Sequence, residues 1–126
     1  LPKSTDRRLD LFCEKLEILL DLKDEKPALL HGDLWSGNYF ASHDQVPYIF
    51  DPAVYFGLRE ADLAMTEMFG RLPKEFYSAY QEAFPIQPGY TERKDIYNLY
   101  HLLNHYNLFG GSYLEQADQT VRSFLD

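Results

Sequence analysis

Apolar residues recur at three- and four-residue steps through most of this chain, and the one long departure from that rhythm lies between residues 28 and 52. The rhythm requires helices that bury one face. From Asp6, residues Leu9, Phe12, Cys13, Leu16, Leu19 and Leu20 mark an amphipathic helix of about four turns, with Pro2 disfavouring an earlier start and Ser4 or Thr5 available as N-cap. A charged exit, Asp21 to Lys26, is closed by Pro27. Beyond residue 52, helices are expected over Arg59–Phe69 with Gly70 as C-cap, and over Lys74–Phe84 started by Pro73. Thr91 can cap a long helix with Ile96, Leu99, Leu103 and Tyr106 on one face. Gly110-Gly111 breaks it, and Ser112 can cap a last helix through Tyr113, Ala117, Val121, Phe124 and Leu125.

The departure itself reads as strand and loop. Ala28-Leu29-Leu30 is too short for a helix and suits a short strand, and His31 to Asn38 is an irregular loop rich in glycine and polar residues. Asn38–Ala41 and Val46–Phe50 are expected to form a hairpin around Ser42-His43-Asp44-Gln45. Pro47 marks the second strand as an edge or irregular one, and Asp51-Pro52 ends it. The expected fold class is therefore mainly α with a small β-hairpin insert, α+β, with 126 residues making one domain.

Composition removes several classes of function. Twelve Lys and Arg against twenty Asp and Glu give a net charge of −8, without the basic face that a nucleic-acid binder needs. The single cysteine, Cys13, rules out an intrachain disulfide and a thiolate metal cluster, and fits a reducing, cytoplasmic setting. No apolar run approaches the ~20 residues of a membrane span, and the first residues show neither an h-region nor a cleavage pattern.

Unusual chemistry concentrates in the insert. Asp33 follows a glycine at the end of a short strand, Asn38 lies five residues on, and Asp51 ends the next strand. Phosphoryl transfer needs such a set: one carboxylate to orient the acceptor hydroxyl and take its proton, and a carbonyl oxygen plus a second carboxylate to hold a divalent ion. Turn and cap duty at strand ends would use the same residues, so the spacing alone leaves both readings open.

The segments L-H-G-D-L-W-S-G-N, F-D-P-A-V-Y-F-G and R-E-A-D-L-A-M-T, followed by F-Y-S-A-Y, G-Y-x-x-R and Y-x-L-Y-H-L-L-N-H-Y-N-L-F-G-G-S-Y, resemble the fructosamine kinase (ketosamine-3-kinase) family. The family is related to aminoglycoside phosphotransferases and choline kinases, and it implies a protein-kinase-like fold. The likeness covers about residues 28–114, in the part that follows the N-terminal lobe of such a fold. No glycine-rich loop or β-rich segment precedes it here. The expectation is that residues 1–126 form the C-terminal catalytic-loop and substrate lobe, that the N-terminal ATP-binding lobe is absent, and that the isolated chain is inactive.

The resemblance implies ATP-dependent phosphorylation of the sugar 3-hydroxyl of ketosamines, free or on protein lysines, which leads to deglycation. The alternatives are a phosphotransferase for another small hydroxyl compound, of aminoglycoside or choline type, and a non-catalytic helical module. Asp33 is implied as catalytic base, and Asn38 and Asp51 as the residues that bind Mg2+ and, with it, ATP. His31 is expected to brace the loop, and Gly32 and Gly37 to permit tight backbone geometry. Trp35 either stacks on a ligand or anchors the loop from the core. Glu60 and Asp62 either cap their helix or, for one of them, brace the catalytic loop. His101 and His105 read as polar bracing rather than as metal ligands. No nucleic-acid or membrane partner is expected; self-association through the face left by the missing lobe is.

Overall fold

The computed structural model describes residues 1–126. In chain order the elements are α1 (Lys3–Leu19), β1 (Ala28–Leu30), a 3-10 turn (Ser36–Asn38), β2 (Tyr39–Ala41), β3 (Pro47–Ile49), β4 (Tyr55–Gly57), α2 (Glu60–Thr66), α3 (Lys74–Ala83), α4 (Tyr90–Phe109) and α5 (Tyr113–Leu125). The chain is mainly α-helical with short antiparallel strands, as its apolar rhythm requires.

It divides into two units, one of residues 1–23 with 98–126 and one of residues 24–97. In the first, α1 packs on α5. Phe12 and Phe124 meet at 5.8 Å between ring centroids, and Ala117 and Val121 are buried beside them. Arg8 Nε donates to Asp118 Oδ1 at 2.9 Å, and Arg122 Nε to Asp118 Oδ2 at 2.8 Å. Burial opposes ionisation of Asp118, but the two arginines outweigh it and hold the carboxyl below its ordinary range. Helix α1 begins directly after Pro2, whose φ of −57° already suits a helix entry, and no side chain caps it; Thr5 is buried one turn in.

In the second unit the expected hairpin forms, with Tyr39 opposite Ile49, Phe40 opposite Tyr48 and Ala41 opposite Pro47. Phe40 stacks on Tyr48 with centroids 5.2 Å apart. The strand Ala28–Leu30 also forms, but its partner is one the sequence did not announce. β4 pairs antiparallel to it, with Ala28 opposite Gly57 and Leu30 opposite Tyr55. Three residues are too few to display a period of two, and the pairing reaches across more than twenty residues, so no local pattern could mark it. Helix α2 is shorter than expected: it stops at Thr66, whose hydroxyl turns back to the Leu63 carbonyl at 2.6 Å. Leu30, Leu63, Ala64, Met65 and Ile96 are the buried apolar residues of this unit.

Candidate active site

The loop that leaves β1 is held by its own backbone. Gly32 has a φ of +86°, and a β-carbon there would lie 2.0 Å from the Ala53 carbonyl oxygen, so only glycine lets the two segments approach. Gly37 serves a different contact: a β-carbon would lie 2.3 Å from the Trp35 indole, which folds over it. That indole is 40% exposed and is not a core side chain.

His31, at the end of β1, is buried and joins three segments. Its Nδ1 accepts from the Asp33 amide at 3.2 Å, so the ring proton sits on Nε2, which donates to the Phe50 carbonyl at 2.7 Å. Its own carbonyl accepts from the Ala53 amide at 2.8 Å. Both ring nitrogens are thus committed to backbone, which leaves the imidazole no hand for proton transfer.

Asn38 is 5% exposed. Its Nδ2 donates to the Asp33 carbonyl at 2.8 Å and to Asp33 Oδ2 at 3.2 Å, which turns Oδ1 into the open acceptor of the amide. The Phe50 amide donates to the Asn38 carbonyl at 3.1 Å. Phe50 therefore bonds Asn38 through its N–H and His31 through its C=O, and Asp51 is the next residue along. Asp51 is exposed, sits in the left-handed region at φ +53°, and its carboxylate makes no hydrogen bond or ion pair with the chain. Aspartate tolerates that conformation better than most residues, and the tied backbone on either side maintains it.

Asp62, in the first turn of α2, accepts from the His31 amide at 2.8 Å and from the Gly32 amide at 3.0 Å. Glu60 looks elsewhere. It is 1% exposed and receives Arg93 Nε at 2.9 Å, Arg93 Nη2 at 2.7 Å and the Tyr97 hydroxyl at 2.9 Å. The pairing with Glu60 raises the Arg93 pKa further. Burial first, then the carboxylate, pushes the Tyr97 hydroxyl above the ordinary tyrosine range and keeps it a donor. Of the two acidic residues at the start of α2, then, Asp62 meets the loop and Glu60 meets α4. Arg93 and Tyr97 appear in the sequence reading only as the end of G-Y-x-x-R and the start of Y-x-L-Y-H, with no role attached to either. The signal was present in the spacing of four along one helix, with buried Ile96 between them.

The donor set suits a hard cation. Asn38 Oδ1 and the Asp51 carboxylate are oxygens free to ligate, and no cluster of three or more His, Cys, Asp or Glu side chains could hold an ion by itself. Magnesium accepts such a sparse protein contribution, since water and phosphate oxygens complete its shell. His101 and His105 form no such site either; His105 Nδ1 donates to the His101 carbonyl at 2.7 Å within α4.

The family model for fructosamine kinase matches residues 3–126. The chain belongs to the fructosamine kinase family. A Vibrio parahaemolyticus protein named a probable ketoamine kinase is 54% identical over 117 residues, 93% of this chain and 40% of its own length. A protein-ribulosamine 3-kinase, chloroplastic, of Oryza sativa subsp. indica is 50% identical over 114 residues, 90% of this chain and 33% of its own. A crystal structure from Thermobifida fusca, assigned as a fructosamine-3-kinase, superposes with a TM-score of 0.89 at 36% identity over 99% of this chain and 43% of that one. The kinase-like fold class expected from the family motifs is therefore the fold observed. The chain spans between 33% and 41% of the length of these curated relatives. No helix is long and apolar enough to cross a membrane.

Proposed function

We propose that this chain carries the catalytic loop and the metal-side groups of an ATP-dependent kinase that phosphorylates the sugar 3-hydroxyl of ketosamines. One observation carries the reading. Asp33 and Asn38 are hydrogen-bonded to each other, and the residue before Asp51 is bonded to both Asn38 and His31. Three residues spread over nineteen positions are thereby drawn to one loop cluster, and two carboxylates in it keep oxygens for other partners.

In this reading Asp33 accepts the proton of the sugar hydroxyl as its oxygen bonds to the γ-phosphorus and the bond to ADP breaks. Asn38 holds the Asp33 carboxylate in place through Nδ2. Asn38 Oδ1 and Asp51 would hold Mg2+, which neutralises phosphate charge when bound. His31, Gly32 and Asp62 keep the loop backbone from moving, and Trp35, exposed at the loop, is available to a sugar face. The ATP-binding lobe belongs to a longer polypeptide of which these residues form the C-terminal lobe. The phosphate ester formed labilises the adduct, so the outcome is deglycation in the cytoplasm. Self-association of the isolated chain is supported by its exposed apolar strand residues Leu29, Phe40, Ile49 and Phe56, and sedimentation over a concentration series checks it.

The test uses the enzyme of full family length with fructose- and ribose-derived lysine adducts. Asp33→Asn is expected to lower kcat on the order of 10²–10⁴-fold with nucleotide affinity little changed. Asp51→Asn is expected to weaken productive Mg2+–ATP binding and to recover partly at raised Mg2+. An Asp33→Asn enzyme that keeps half its kcat removes Asp33 from the mechanism, and equal turnover of choline or an aminoglycoside removes the ketosamine assignment.

A further inference from the structure

Helix α2 has only seven residues, Glu60–Thr66, and no side chain caps its first turn. A helix that short does not persist by its own hydrogen bonds, so its position must come from what its side chains grip. Glu60 and Asp62 stand two residues apart, roughly 200° around a helix, and their carboxylates leave on opposite sides. Asp62 takes the amides of His31 and Gly32, while Glu60 takes Nε and Nη2 of Arg93 and the hydroxyl of Tyr97 from α4. Arg93 is itself fixed from behind, donating Nη1 to the Pro88 carbonyl at 2.8 Å and Nη2 to the Gln87 carbonyl at 3.0 Å.

We propose that Arg93, Glu60 and Tyr97 are positioning residues for the loop that carries Asp33, acting through the first turn of α2 and the Asp62 carboxylate. Arg93 and Tyr97 anchor one side of the turn. With that anchor gone, the turn frays and the Asp62 oxygens leave the two amides. The Asp33 amide bonds to the ring of His31, whose own amide is one of the pair, so the displacement reaches the base. The inference rests on Asp33 being catalytic, but the coupling it asserts is mechanical and needs neither nucleotide nor sugar to be seen.

Amide hydrogen exchange, read by NMR on the full 126-residue chain, measures that coupling. In Glu60→Gln and Arg93→Met, exchange at His31 and Gly32 is expected to rise about tenfold relative to the slow amides of the β2–β3 hairpin and α5. Asp62→Asn sets the upper limit of the effect. Arg93→Lys, which keeps the charge without the planar fork, should restore part of the protection. Tyr97→Phe removes one hydroxyl and should show a smaller rise at the same two amides; it decides the matter if the Arg93 and Glu60 variants do not fold. The proposal is overturned if His31 and Gly32 keep their protection, or lose it only in step with every other slow amide. Loss of kinase activity in Asp33→Asn bears on the reaction alone, so the two readings fail separately.

Discussion

Five of the carboxylates of residues 24–97, those around the loop and the elements that hold it, fall into two kinds. Glu25, Glu60 and Asp62 are saturated: Glu25 by Arg59 at 2.7 Å and Gln87 at 3.1 Å, Glu60 by Arg93 and Tyr97, Asp62 by two backbone amides. Asp33 accepts a single side-chain hydrogen bond, from Asn38, and Asp51 accepts none. The first kind makes a scaffold, because a buried charge with a full set of donors costs most when a donor is taken away. The second kind leaves carboxylate oxygens that the chain does not engage. What separates the two kinds among these five is partner count, since all are the same functional group.

The comparison breaks most readily at Glu60. Replacing it with alanine leaves Arg93, 9% exposed, without a counter-charge, and should cost about 3–5 kcal/mol in denaturant unfolding. A cost under 1 kcal/mol would mean that the saturated set bears little of the stability. Next in size is Gly32→Ala. The added carbon meets the Ala53 carbonyl oxygen at 2.0 Å on a backbone at φ +86°, and a loss of about 3 kcal/mol is expected by the same measurement.

Acid should weaken the hold on Glu25. Burial opposes ionisation of Glu25, but Arg59 and Gln87 outweigh it and lower its pKa in the fold. A group held below its unfolded value contributes stability above that value and loses it as pH falls through the folded one. Thermal stability should therefore decline as pH drops below about 4.5, the ordinary value for glutamate, and Glu25→Gln should flatten that decline. Asp118 acts in the same sense in the α1–α5 unit, from its own ordinary value of 3.8 downward. Smallest of all is Asp51→Asn, expected to change stability by less than about 0.5 kcal/mol because no partner is lost. A large destabilisation there would place Asp51 with the scaffold.

The helices were legible because a buried face repeats every turn, and the hairpin because aromatic runs flank a polar turn. Asp33, Asn38 and Asp51 stood out by residue type and spacing, but spacing left turn duty and chemistry both open, and only the resemblance to the family attached roles to them. The β1–β4 pairing was not, since three-residue strands carry no period. The division of labour between Glu60 and Asp62 was not legible either. Both are acidic residues in the first turn of a helix, and only the neighbours brought in by folding tell them apart.

The sequence by itself determined which segments are helical, that a strand-and-loop insert interrupts them, and which residue types stand in the loop; the helix ends it did not, since α1 starts at Lys3 and α2 stops at Thr66. The features it determined are local matters of side-chain period, backbone freedom and chemical type. Tertiary structure alone decided that His31 spends both ring nitrogens on backbone, that Asp62 holds the loop while Glu60 grips Arg93, and that Asp51 stays unpaired. Apart from the local Asp33 amide on His31, the partners that decide this arrive from nineteen to thirty-seven residues away: the Phe50 carbonyl for His31, the His31 and Gly32 amides for Asp62, and Arg93 and Tyr97 for Glu60. Their arrival is written in the packing of whole elements rather than in neighbours along the chain.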